Sequence, residues 1–215
     1  MKTVNVMIVD DHPLVCIGYS QLIETEPDLS VCCMARTSGD ALKMLPRCLP
    51  EAAIIDLSLP DGSGLDLIRR ILAKYPNIMI LVSSMHDENL FAGRSLQAGA
   101  KGYINKQEAC EKVIIAIRQI LKGEIYLSAP MRERLITQVE DITDLESSPI
   151  ERLSNRELEI YGLTGQGMPT SEIAAKLHLS IKTIESHRAN IKAKLGLHSA
   201  GELIRSAVQW TLETH

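Results

Sequence analysis

The sequence predicts a doubly wound α/β sheet of five parallel strands followed by a small all-helical unit. Over the first 121 residues, short apolar runs alternate with longer amphipathic stretches, the pattern of buried parallel strands wrapped by helices. Acidic residues stand at the ends of the first and third apolar runs, and such sheets hold their ligands beyond the C-terminal strand ends. From residue 151 onward no strand-like run occurs, and apolar positions recur at helical spacing.

The strands are predicted at VNVMIV (4–9), LSVCCMA (29–35), AAIID (52–56), IMILV (78–82) and GYIN (102–105). Helices are predicted between and after them at 14–25, 39–48, 63–74, 87–98 and 108–121, with Pro76-Asn77 and Lys122-Gly123 as punctuation. Residues 122–150 break the alternation. A helix over 130–139, with Pro130 in its first turn, leads into the polar, acidic stretch DITDLESSP, which reads as a linker. Domains are therefore expected at 1–121 and 151–215, joined by 122–150.

Four helices are predicted in the last part, at 154–165, 170–177, 181–195 and 200–212. Ser154 with Glu157 three residues on makes a capping box for the first, and Gly165 and Gly167 stop it. HLS then turns the chain into IKTIESHRANIKAKL, with Ser180 as its cap. Ile181, Ile184, Ile191 and Leu195 form one apolar stripe, leaving Lys182, Glu185, Ser186, Arg188, Ala189 and Lys192 outward.

Composition sets limits. With 215 residues, 45% hydrophobic and 23% charged, the chain suits two ordinary globular cores. No apolar run approaches the roughly 18 residues of a membrane span, and the N-terminus MKTVNVMIVDDHP places acids where a signal peptide keeps its hydrophobic stretch. A cytoplasmic protein without membrane contact is expected. The five cysteines (Cys16, Cys32, Cys33, Cys48, Cys110) are odd in number and lack a metal-ligand spacing in sequence, so they read as small buried hydrophobes. A redox role for the adjacent Cys32 and Cys33 is the sharper, less favoured alternative. The net charge of −4 conceals an asymmetry: residues 1–150 hold 15 Lys+Arg against 20 Asp+Glu, and residues 151–215 hold 8 against 7. Only the C-terminal part suits a polyanion.

Asp10 and Asp11 end the first strand and Asp56 ends the third, which brings three carboxylates to one sheet edge. Unpaired, they would repel one another, and a hard cation such as Mg²⁺ resolves the repulsion. Ser83-Ser84 at the end of the fourth strand and Lys106 after the fifth add a hydroxyl and an ammonium. Together these groups describe phosphoryl transfer, with Asp56 as nucleophile and Mg²⁺ and Lys106 stabilising the phosphoryl oxygens. Singly, each residue has a plainer reading: strand-end aspartates cap helices, and a lone lysine is usually solvated.

The segments VDDHP (9–13), IIDLSLPDGSG (54–64), SSM (83–85) and KGYINK (101–106) resemble the receiver domain of two-component response regulators, a flavodoxin-like fold, over residues 4–121. The resemblance implies that Asp10, Asp11 and the backbone carbonyl of Ser58 bind Mg²⁺ together with Asp56, that Asp56 accepts the phosphoryl group, and that Lys106 binds the phosphate. It also implies that Ser84 is the switch hydroxyl and Tyr103 the switch aromatic, although Tyr103 also suits a plain packing role. Ser84 precedes Lys106 by 22 residues, as the family's hydroxyl does, and Ser83 is expected on the opposite face of the strand. Gln107 stands where the family has proline. In LPDGSG, Pro60 fixes the chain direction, and Gly62 or Gly64 is expected to supply an unusual backbone angle.

In the C-terminal part, a short helix, a tight turn and a second helix with basic outward residues describe a helix-turn-helix. Residues 176–194 hold five Lys+Arg and one Asp+Glu. LSNRELEI, GQGMPTSEIAAKL, LSIKTIESHRANIKAKLGL and ELIRSAV resemble the LuxR-type output domain of the NarL/FixJ class of response regulators. By this resemblance Lys182, Glu185, Ser186 and Ala189 approach base edges, while Thr183, Arg188, Asn190 and Lys192 hold phosphates or neighbouring bases. Glu185 occupies an often basic position, and His178 stands in the turn where relatives often carry Gly, which requires a left-handed backbone.

The expected function is transcription regulation controlled by a histidine kinase that phosphorylates Asp56, with a homodimer reading paired half-sites of promoter DNA. The chain is not expected to be an enzyme beyond its own phosphorylation and slow dephosphorylation. One rival is a DNA-binding regulator whose receiver answers to a protein partner or small ligand. A second, a Mg²⁺-dependent phosphatase, fares poorly: Ser58 stands where a second acid/base is needed, and no substrate-binding insertion interrupts the loops. A cofactor-binding Rossmann sheet is disfavoured because the first turn is DDHP rather than glycine-rich.

Overall fold

A computed structural model describes residues 3–86, 88–133 and 149–214, and the chain falls into two compact units, Met1–Asp141 and Ile142–His215. In the first unit β1 (Val4–Val9), β2 (Leu29–Ala35), β3 (Ala52–Ile55), β4 (Met79–Ser84) and β5 (Gly102–Asn105) alternate with α1 (Pro13–Glu24), α2 (Ser38–Cys48), α3 (Gly64–Lys74), α4 (Glu88–Gln97) and α5 (Ala109–Leu121). Among the described residues the strands form a five-stranded parallel sheet in the order β2-β1-β3-β4-β5. The order reverses between β1 and β3, so the loops after these two strands splay apart into a crevice. Central strands lie under helices on both faces, and for this reason Val6–Val9 and Ala52–Ile55 read as unbroken apolar runs.

The element borders match the predicted ones within two residues, with one informative difference. β4 continues to Ser84, two residues beyond the apolar run, because Ser83 and Ser84 pair with Ile104 and Asn105 of β5. A two-residue antiparallel ribbon, Ser58–Leu59 with Gly62–Ser63, is too short for any periodicity to announce.

The segment after α5 departs from the predicted linker. Tyr126 forms a parallel bridge beside Gly102, its N–H donating to the Lys101 carbonyl at 2.9 Å and its carbonyl accepting from the Tyr103 N–H at 2.9 Å. Leu127 and Met131 are buried, and the Ser128 N–H donates to Glu88 Oε1 at 3.0 Å. The packed body of the first unit therefore runs past residue 121 and includes this strap. Residues 129–133 are helical, and the rest of the helix predicted over 130–139 lies outside the described residues. The cysteine reading needs correction as well. Cys16 is buried as expected, but Cys32, Cys33 and Cys48 are half-buried and gathered together, a tertiary proximity that sequence spacing does not encode.

Among the described residues of the second unit, a 3₁₀ turn, Pro149–Arg152, is followed by α6 (Asn155–Gly165), α7 (Thr170–Lys176), α8 (Ile181–Leu195) and α9 (Ala200–Thr214). The capping box forms as predicted: Ser154 Oγ accepts from the Glu157 N–H, and Glu157 Oε2 accepts from the Ser154 N–H at 2.7 Å. His178 adopts the left-handed angle its turn demands, φ 52°. Of the predicted apolar stripe on α8, Ile184 and Ile191 are fully buried, whereas Ile181 is 55% exposed. At roughly 100° per residue, Ile191 lies within about 20° of Ile184 but Ile181 about 60° away, outside the packed seam.

Glu157 also accepts from Lys194 Nζ of α8 at 2.6 Å, and so joins the start of α6 to the end of the next long helix. Burial acts to raise its pKa, but Lys194 and the Ser154 N–H outweigh it, leaving the carboxyl below the ordinary glutamate range. Because the folded pKa is depressed, this contribution is complete above the unfolded value and is lost as pH falls through the folded one. Glu157→Gln is expected to cost about 2 kcal/mol at neutral pH, the sum of a weakened cap and a lost charged hydrogen bond. The gap between wild type and variant should begin to narrow near pH 4, where the unfolded carboxyl protonates, and close only at the lower pH where the folded carboxyl protonates as well. Urea unfolding across this pH range checks this, and a pH-independent difference contradicts it.

Candidate functional site

The main-chain ladder itself delivers the acidic residues. The Asp10 N–H donates to the Ala35 carbonyl and the Asp56 N–H to the Val9 carbonyl, each continuing a strand by one residue. Both side chains are buried. Lys106 leaves the end of β5, held by its N–H on the Ser84 carbonyl, and its ammonium lies 2.7 Å from Asp10 Oδ2 and 2.7 Å from Asp56 Oδ2. Burial pushes the Asp56 carboxyl above its ordinary range against the opposing pull of Lys106. For Lys106 burial works downward, but Asp56 and Asp10 more than offset it and raise the ammonium's pKa.

Asp11 and His12 complete the rim. Ligand atoms of Asp10, Asp11, His12 and Asp56 all lie within 4.8 Å of one another. Asp11 Oδ1 is buried and engaged in no hydrogen bond, although His12 Nδ1 stands 2.7 Å away. Three converging carboxylates, one with unmet lone pairs, suit a hard divalent cation bound through oxygen. Ser58 stands beside them, its N–H donating to Asp56 Oδ1 at 3.3 Å. Asp61, further along the same loop, accepts from the Ser38 and Gly39 N–H groups at 2.8 and 2.9 Å and fastens the loop to the start of α2.

Adjacent serines at the end of β4 point to opposite faces, as expected. Ser83 Oγ pairs with the Tyr19 hydroxyl of α1, and Ser84 Oγ accepts from the His86 N–H at 3.2 Å. Tyr103 is fully buried, its hydroxyl donating to the His86 carbonyl at 2.8 Å. His86 also places Nε2 2.8 Å from Ser58 Oγ and stacks on Phe91 at 4.7 Å between centroids. One histidine thus contacts the loop after Asp56, the Ser84 hydroxyl and the Tyr103 hydroxyl. Sequence reasoning missed His86, His12 and Asp61, since none stands in a spacing that announces a partner. Gly64 belongs to the site for steric reasons: a Cβ there would lie 2.0 Å from the Asp56 carbonyl oxygen and 2.7 Å from Leu57 Cα. The unusual backbone angle falls instead on Gly62, at φ +155°.

The second unit presents a different surface. Lys182, Glu185, Ser186, Ala189 and Asn190 are exposed along α8, while Thr183 and Lys192 are half-buried. Thr183 is occupied at the helix start, where its hydroxyl lies 2.8 Å from Ser180 Oγ. Arg188 is not on the open face: its side chain is 14% exposed, Nη1 donates to Thr170 Oγ1 of α7, and Glu185 Oε1 stands 3.6 Å away. It braces α7 against α8. Arg156, which sequence reasoning did not single out, donates to the Leu177 carbonyl at 2.9 Å and closes the end of α7.

The family described as response regulator receiver domain matches residues 6–118, and that of bacterial regulatory proteins of the luxR family matches residues 151–207. The oxygen regulatory protein NreC of Staphylococcus aureus (strain bovine RF122 / ET3-1) is 35% identical over 209 residues, 95% of this chain and 96% of that protein. NreC of Staphylococcus haemolyticus is 34% identical over 211 residues, with the same shares. The fold is similar to the RcsB response regulator of Salmonella typhimurium, at a TM-score of 0.65 and 29% identity over 97% of this chain and 98% of that one. A two-component response regulator–DNA complex of RcsB gives a TM-score of 0.59 at 28% identity, covering 99% of both chains. Among the described residues, no helix is long and apolar enough to cross a membrane.

Proposed function

Because the chain belongs to the two-component response regulators of the NarL/FixJ class, which join a receiver to a LuxR-type DNA-binding domain in a phosphorylation-controlled transcription regulator, we propose that Asp56 is its phosphoacceptor and the exposed face of α8 its DNA-reading surface. The observation that carries this reading is Lys106, whose ammonium bridges the two buried carboxylates Asp10 and Asp56 at the crevice. A kinase histidine is the natural donor. Asp56 Oδ attacks phosphorus, the phosphorus–nitrogen bond breaks, and the imidazole leaves with a proton.

Asp10, Asp11, Asp56 and the Ser58 carbonyl would hold Mg²⁺, and the ion would supply positive charge to offset that on the transferring oxygens. Lys106 then exchanges a carboxylate for a phosphoryl oxygen. Ser84 Oγ, held by the His86 N–H, becomes a donor to another. Moving Ser84 disturbs His86, and with it the hydrogen bond that fixes Tyr103. This is how charge at Asp56 reaches the outer surface of β5. The chemistry is confined to self-phosphorylation and self-dephosphorylation, and the phosphorylated protein binds promoter DNA as a dimer.

With Mg²⁺ and a small phosphodonor, wild-type protein should gain one phosphoryl group by intact mass and bind its promoter more tightly. Chelation of divalent cations should reduce labelling to background. Labelling that persists after chelation contradicts the acidic site. Lys182→Ala, at an exposed position of α8, should weaken DNA binding by about 1–3 kcal/mol if it reads a base edge, or lower the salt dependence by about one counterion if it holds a phosphate. Unchanged affinity and salt slope would place the reading face elsewhere.

A further inference from the structure

We propose that Cys32, Cys33 and Cys48 form a binding site for a thiophilic metal ion of the Cu⁺ type on the outer edge of the receiver. Successive side chains of a strand point to opposite faces, so neighbouring cysteines should be separated by the sheet. Here a bulge intervenes: Val6 pairs with Val31 and the next residue, Met7, pairs with Cys33, leaving Cys32 as the extra residue. The two sulfurs consequently lie 3.9 Å apart. Cys48, in the last turn of α2, brings the third, its thiol donating to the Cys32 carbonyl at 3.8 Å. All three sulfurs lie within 4.8 Å of one another.

That spacing is the one a metal needs. Three thiolates about 2.3 Å from a central ion stand roughly 4 Å apart, so an ion can enter with little movement of the chain. The ligands are sulfur only, which selects a soft cation over Mg²⁺. β2 is an outer strand and the three residues are half-buried, so an ion has access from solvent. The carbonyl end of α2 beside Cys48 favours a cation. Simple packing does not account for the bulge, which sacrifices ladder pairing and brings the sulfurs together. On binding, each sulfur that ligates as thiolate gives its proton to solvent and no electron is transferred.

The reduced full-length protein, titrated anaerobically with Cu⁺ against a competing chelator, should take up one equivalent; the carboxylates of the acidic site are too hard to compete. Cys32→Ser, Cys33→Ser and Cys48→Ser should each weaken uptake by about 100-fold or more, and Cys110→Ser, on α5, should not. In wild-type protein, bound Cu⁺ should shield Cys32, Cys33 and Cys48 from alkylation, as read by peptide mass, a readout that does not depend on how the variants fold. Absence of uptake, uptake that survives loss of the three thiols, shielding of other cysteines, or a disulfide formed among the three in place of metal binding would each overturn the proposal.

Discussion

Asp56→Asn is expected to reduce covalent phosphorylation to background while leaving the receiver folded. The amide has no anionic oxygen to attack phosphorus, and the neighbouring carboxylates do not replace it: Asp10 is committed to Lys106 and to the His12 N–H, and Asp11 stands at the rim. The fold should survive because burial already disfavours the charged form of Asp56. Asn is nearly isosteric, and Lys106 keeps Asp10 as a partner at 2.7 Å. Intact mass after incubation with Mg²⁺ and a phosphodonor, together with the circular dichroism of both proteins, decides the matter. Equal labelling of variant and wild type would move the acceptor to another side chain.

Gly64→Ala should be the most damaging single methyl in the receiver. The added carbon would lie 2.0 Å from the Asp56 carbonyl oxygen, 2.7 Å from Leu57 Cα and 2.9 Å from the Asp56 carbonyl carbon, all backbone atoms that no rotamer change can move. The Gly64 N–H, on the Leu57 carbonyl at 2.9 Å, holds the two segments together at that distance. Relief requires the loop after Asp56 to shift, at a cost of about 3 kcal/mol or more. For a unit of this size, thermal unfolding of the receiver should fall by roughly 10 °C. Phosphorylation should fall with it even in the folded fraction, because the displaced segment carries both the acceptor and Ser58. A melting temperature within a degree or two of wild type would show that the loop yields easily.

Strands, helices and the residues at strand ends were legible in the sequence because each rests on a local rule. Val6–Val9 had to be apolar on both faces, and Asp10 and Asp56 then fell at the crevice by counting along the strands. What escaped was whatever depends on two distant segments meeting. His86 earns its place through Ser58, 28 residues earlier, and Tyr103, 17 residues later. The clustering of Cys32, Cys33 and Cys48 requires a bulge that only the pairing register shows. Arg188 looked outward by helical periodicity, yet its long side chain turns back to Thr170, a freedom that periodicity cannot describe. The strap at Tyr126 escaped because a single bridging residue has no period at all.

The same strap governs how such a protein can be taken apart and recombined. A cut after Leu121, where the alternation of strand and helix ends, would leave the Lys101 carbonyl and the Tyr103 N–H unpaired on an open sheet edge and strip away the buried Leu127 and Met131. Exposed edges of this kind pair with one another, so an isolated receiver ending there should self-associate for reasons unrelated to signalling. Exchange of output domains between relatives, whether in evolution or at the bench, therefore has a natural seam beyond Met131: the receiver travels with its strap, and the new partner begins after it.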